Sequence, residues 1–126
     1  MAREVNKGTA ANFLEKAREF CDAALLSYQA GHYNASTFAA AQAIILANDA
    51  VCIAALGQRA SKDHREAIEL HVQACAGRES KKDVLSQALD KRTEFGYTEK
   101  ESSNPEANRL LLQAKRFIAW AAERVR

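Results

Sequence analysis

Four of the five glycines, Gly31, Gly57, Gly77 and Gly96, each close a stretch of helical periodicity, and each is soon followed by Asn34, Ser61, Ser80 or Asn104. Glycine reaches the left-handed conformation that ends a helix, and Ser and Asn side chains accept the unpaired amide protons that begin the next. The single proline, Pro105, follows Asn104 at a position where a missing N–H costs nothing. This punctuation divides the chain into five helices. They are expected at Thr9 to Ala30, Asn34 to Leu56, Ser61 to Ala76, Ser80 to Phe95 and Asn104 to Arg126.

The apolar positions fit that division. The first helix carries Phe13, Ala17, Phe20, Ala24 and Tyr28 at steps of three and four, the mark of a buried stripe. The second is apolar nearly all round, with Phe38, Ala41, Ile45, Cys52 and Leu56 on one side and Ile44, Val51 and Ala55 on another, so it is central or shared with a partner chain. His64, Ile68, His71 and Cys75 share a stripe on the third, and a capping box from Ser80 to Asp83 opens the fourth. The last presents Leu110, Leu111, Ala114, Phe117, Ile118 and Ala121. Short connections make neighbours antiparallel. The fold class is therefore all-α, an up-and-down bundle of four core helices plus a fifth C-terminal helix, and residues 1–126 form a single domain.

Composition narrows the function classes without choosing one. A net charge of +2 does not by itself imply a nucleic-acid surface. The N-terminus has no apolar signal core, and a soluble, cytoplasmic protein with no membrane partner is expected. Cys21, Cys52 and Cys75 are odd in number, lack C-x-x-C spacing and read as buried thiols. Phosphate-binding and nucleophile-elbow loops are missing, as are strands to carry them. No cofactor is implied. His64 and His71 lie two helical turns apart, about 10 Å by helix rise, too far to share a metal.

Chemistry is then sought among polar residues on apolar faces. Asp49 sits in the middle of the most apolar helix, where an ionised carboxylate needs a cation or several donors. Arg59, His64 and Arg92 are the candidate partners, with His64 or Arg92 expected to hold it. A structural ion pair accounts for the same pattern. His64, in the first turn of the third helix, feels the positive end of the dipole, which favours neutral imidazole able to accept a proton. It is either a general base or a core histidine bonded to Asp49.

The first two helices, FLEKAREFCDAALLSYQAGHYNASTFAAAQAIILANDAVCIAALG, resemble the opening of HEPN domains, small helical domains named for a nucleotide-binding role in higher eukaryotes and prokaryotes. GQRASKDHREAIEL resembles the family's turn into a helix beginning with His, and ALDKRTEFGY its basic residue ahead of an aromatic end. The resemblance makes His64, Arg92 and Tyr97 site candidates beside Asp49. It implies a binding module for nucleotide or RNA, or for a partner nucleotidyltransferase in a toxin-antitoxin-type pairing, and it implies homodimers. The second helix departs from better-known members in its small run Ala39-Ala40-Ala41. Ile44, Val51 and Ala55, or the stripe with Trp120, are the expected dimer face.

Ribonuclease members of the family share an Arg and a His four to six residues apart near the last core helix. Arg59 and His64 have that spacing but fall between the second and third helices; Arg65 and His71 have it too. The alternative function is thus a metal-independent ribonuclease in which Arg59 or Arg92 steadies phosphorane charge while His64 removes the 2′-hydroxyl proton. A bare helical scaffold is a third reading.

Overall fold

The computed structural model describes residues 2–61 and 64–126. It contains five helices: α1 (Ala10–Gln29), α2 (Tyr33–Leu56), α3 (His64–Cys75), α4 (Lys82–Tyr97) and α5 (Asn104–Val125). The all-α, five-helix expectation holds. α2 is the hub, packed most extensively by α1, then by α5 and α4. Its apolarity on every side is used inside one chain, since Ala40, Ala41, Ala43, Ile44, Ala47, Ala50 and Ile53 are all fully buried. By length and composition α2 would pass for a membrane-crossing segment, but 72% of its most apolar window is buried against the rest of the chain, as in a core helix. α5 runs along both α2 and α1, and the short α3 lies most laterally.

Alanines set the spacing of this core. Ala17 and Ala24 of α1 face an α2 rich in alanine, and small side chains let the helix backbones approach closely. The buried stripe of α1 runs through Ala10, Leu14, Ala17, Cys21 and Ala24. It is rotated from the expected one, and Phe20 is 38% exposed. The three cysteines are free, buried thiols. Ile44 and Val51, expected to meet a second copy, are 0% and 2% exposed, so α2 offers them to no partner. Ala55 of that expected face is exposed, and Trp120 of the alternative stripe is half-buried.

Helix ends follow the punctuation in part. Gly57 closes α2 in the left-handed conformation, φ 66°, and its N–H donates to the Ile53 carbonyl. Gly96 does something different. It lies inside α4 without a positive φ, and a β-carbon there would stand 2.5 Å from Cε1 of Phe38. This glycine is a notch that lets α4 pass over an aromatic ring of α2; it does not end a helix. The cap expected from Asn104 comes from Ser103, whose hydroxyl accepts from the Glu106 N–H. Asn104 instead bridges Tyr28 and Tyr33, accepting from one hydroxyl at 2.6 Å and donating to the other at 2.9 Å. Asn34 accepts from the Ser102 N–H in place of capping α2. Ser61, the cap expected for α3, donates its N–H to Glu66 Oε1 at 2.6 Å, and residues 62 and 63 between it and α3 lie outside the described residues.

A pair of two-residue strands went unread in the sequence. β1 (Arg3–Glu4) pairs antiparallel with β2 (Gln58–Arg59), Arg3 opposite Arg59, and the Val5 N–H donates to the Gly57 carbonyl at 2.8 Å. The N-terminal segment therefore fixes the backbone on which Arg59 is mounted.

Candidate functional site

Two buried polar groups stand side by side on α2, Asn48 at 2% exposure and Asp49 at 5%. Helical geometry points consecutive residues to different neighbours, and these two lead to separate networks.

Asn48 leads to α3. His71 is fully buried, and its Nδ1 lies 2.7 Å from Asn48 Oδ1. Its Nε2 accepts from the Lys81 N–H at 2.9 Å. Because Nε2 accepts, the ring proton sits on Nδ1 and is donated to Asn48. The His71 ring also packs against Phe117 and Trp120, at centroid distances of 6.2 and 5.6 Å. Burial pushes its pKa down to about 4, so it is neutral at physiological pH. Here a side chain from α3 takes the role expected of Ser80: α4 begins at Lys82 with no capping side chain of its own, and His71 takes the amide that precedes it. Both ring nitrogens of His71 and the Asn48 Oδ1 have partners, which marks a structural element.

Asp49 faces a cleft of about 170 Å³ between α2, the β2 segment, α3 and α4, which Asn48 also lines. Arg59 Nη2 reaches Asp49 Oδ2 at 3.3 Å, and the Arg59 guanidinium lies 4.6 Å from the centre of the Phe13 ring. Arg92 enters the same cleft from α4 and its field also acts on Asp49. Burial nevertheless dominates, raising the Asp49 pKa to about 6 against the opposing pull of Arg59 and then Arg92. Two further features are unresolved within the fold. Arg59 Nε is buried with no hydrogen-bond partner, and Arg92 makes no ion pair among the described residues. The cleft thus holds two guanidinium groups against one carboxylate whose charge is poorly tolerated.

Of the site residues expected from sequence, the structure brings together Asp49, Arg59 and Arg92. It separates His64 and Tyr97 from them. His64 is not the partner of Asp49: its side chain is 42% exposed, and Nε2 lies 3.2 Å from Asp90 Oδ1 in a shallow groove between α3 and α4. The reason is the roll of α3, which turns Ala67, Leu70, His71 and Cys75 inward and leaves His64 over the outer face of α4. Tyr97 is the last residue of α4 and 77% exposed, outside the cleft. The pair Arg59 and His64 therefore does not converge on one reacting atom. Arg65 and His71 diverge as well, Arg65 binding Glu69 on the surface while His71 is buried. No group of three metal-ligating side chains converges among the described residues.

Sequence reasoning passed over His71 as a functional or structural element in its own right, although it lies on the stripe with Cys75. It also missed the part played by β1, because Arg3-Glu4-Val5 carries no periodic signal.

Comparison with known proteins adds one positive finding. No curated protein matches the chain. The HEPN domain matches residues 10–125, from the first residue of α1 to the last of α5. The five-helix bundle and a domain match over nearly all of the chain agree, and the protein belongs to the HEPN family.

Proposed function

We propose that this HEPN domain is a non-catalytic binding module whose Asp49–Arg59–Arg92 cleft takes a phosphate of RNA or of a nucleotide. The observation that carries this reading is the surplus cation: two guanidiniums, one of them without an ion pair among the described residues, face a single carboxylate in a confined space. An anion there would meet Arg92 directly and relieve the imbalance. Ligand pockets that enclose a whole small molecule are typically about 300–1,000 Å³. The cleft is smaller, at about 170 Å³, and suits one phosphate with the remainder of the ligand outside.

The ribonuclease alternative needs a base beside the cation. His64 is held by Asp90 in a different groove, and His71 is neutral, buried and fully engaged. These placements favour binding over cleavage.

The test is anisotropy of a labelled single-stranded RNA oligonucleotide with the purified protein, followed by a gel of the recovered RNA. Arg92→Ala should weaken binding roughly tenfold and reduce the salt slope by about 0.7. His64→Ala should change neither binding nor RNA length. RNA cut without added metal, with cutting lost in His64→Ala, would establish the ribonuclease instead. Absence of RNA and nucleotide binding, with co-purification of a nucleotidyltransferase lost in Arg92→Ala, would assign the cleft to an acidic side chain of that partner.

A further inference from the structure

Asp49 and an anion in its cleft would compete for the same cations. Among the described residues the Asp49 carboxyl has one hydrogen-bond donor, Arg59 Nη2 at 3.3 Å. The two side chains are unequally placed. Arg59 is 30% exposed and Asp49 only 7%, so the guanidinium stands toward solvent and the carboxyl behind it. Arg92 lines the same cleft from α4. An anion arriving from solvent meets the guanidiniums first, and a volume of about 170 Å³ holds it within a few ångströms of Asp49.

The remaining walls supply no further cation among the described residues. Cys52, one turn along α2, is a thiol that burial and then the Asp49 charge push up to about 12, so it stays neutral. From α3 the cleft receives Ala67, and Glu66 beside it is engaged by the Ser61 N–H and hydroxyl at 2.6 and 3.4 Å. Phe13 of α1 covers the Arg59 guanidinium. A bound anion would therefore place two negative charges on two guanidiniums, where burial already pushes the carboxyl up to about 6. Like charges at that range raise the carboxyl further, and a proton from solvent discharges it.

We propose that anion binding in this cleft is coupled to proton uptake by Asp49, an inference that rests on the binding reading above. The anion takes the guanidiniums of Arg59 and Arg92; the carboxyl, losing its cation, gains one proton and donates it in a hydrogen bond to an anion oxygen. Asp49 then changes from competitor to donor, and affinity rises as pH falls.

The full chain is titrated with a short oligouridylate lacking a terminal phosphate, whose bases and phosphodiesters keep their charge between about pH 5.5 and 8. Calorimetry at pH 7.5 in Hepes and in Tris, which differ in ionisation enthalpy, should show uptake of close to one proton per molecule bound. By anisotropy, affinity should rise by close to tenfold from pH 8 to 7 and level off below about pH 6. Asp49→Asn keeps the shape and cannot take up the proton, so it should bind at least about fivefold tighter at pH 7.5, with no uptake and no slope between pH 8 and 7. His64→Ala, in the other groove, should keep both. Binding without proton uptake in the parent would overturn the coupling and leave the binding reading standing. So would an affinity independent of pH, a slope that persists in Asp49→Asn or disappears in His64→Ala, or an Asp49→Asn affinity no tighter than the parent's. No binding by the parent anywhere in this pH range would overturn both.

Discussion

Asn48 and Asp49 are adjacent, equally buried and polar, yet the networks they anchor are organised on opposite principles. Around Asn48 the imidazole is matched on both sides: His71 gives its Nδ1 proton to Asn48 Oδ1 and takes the Lys81 amide on Nε2. Around Asp49 there is a mismatch, with a carboxyl pushed up to about 6 and, among the described residues, a buried Arg59 Nε without a hydrogen-bond partner and an Arg92 without an ion pair. A matched network stabilises a fold, whereas a mismatched one costs stability, which is what makes the Asp49 cleft the candidate site. The difference teaches where to look for function in a small helical domain. Burial of charge is less informative than burial of charge left unbalanced.

The comparison is broken most directly at His71. His71→Ala removes a fully buried ring packed on Phe117 and Trp120 and strands Asn48 and the Lys81 amide, so a loss of about 3 kcal/mol or more is expected in denaturant unfolding. Asp49→Ala should cost far less, because the Arg59 left behind is 30% exposed and can be hydrated. Equal losses at the two positions would remove the distinction.

Acid sharpens it. The folded His71 pKa, about 4, lies below its ordinary 6.5, so between these values the unfolded state binds more protons and stability falls as pH falls. Asp49 behaves oppositely: its folded pKa, about 6, lies above 3.8, so in that window the folded state binds more protons and stability rises as pH falls. The two contributions oppose each other over most of their range. Asp49→Asn should therefore expose the His71 slope, with an extra loss on the order of 1–2 kcal/mol between pH 6.5 and 4. A pH profile identical in parent and variant would contradict the opposed pair.

Arg92→Ala should separate affinity from stability, weakening anion binding about tenfold, or 1.4 kcal/mol, while moving the unfolding midpoint little. The smallest effect is expected from Asp49→Asn at pH 7.5. Removing a charge that burial disfavours should leave stability unchanged or raise it by up to about 1 kcal/mol. A clear destabilisation there would make Asp49 a structural partner of Arg59 after all.

The sequence carried the fold well where local rules act alone. Glycine spacing found all five helices, and the all-round apolarity of α2 identified the hub. Local rules failed where tertiary contact replaced them. Gly96 serves the ring of Phe38, and the start of α4 is served by His71 on another helix, a donor-acceptor match that no capping box reveals. At the site, the need of Asp49 for a counter-charge was legible, because charge on an apolar stripe demands one, but the partner that meets it is Arg59 and not the expected His64 or Arg92. His64 and Tyr97 were misplaced because periodicity sets spacing along a helix, whereas the roll of α3 and the end of α4 are set by packing.

The mounting of Arg59 has a consequence for when the site exists. Arg3 and Arg59 are paired across the whole of α1 and α2, so their pairing closes a long loop and follows the helical hairpin in assembly. Two residues per strand hold it, with the Val5 amide bond beside them. Such an edge opens locally at far less cost than global unfolding, and the Val5 amide should exchange with solvent much faster than the core amides of α2. Binding an anion at Arg59 should slow that exchange. On the binding reading proposed above, clamp and ligand should open and re-form together, repeatedly within the lifetime of a single folded molecule.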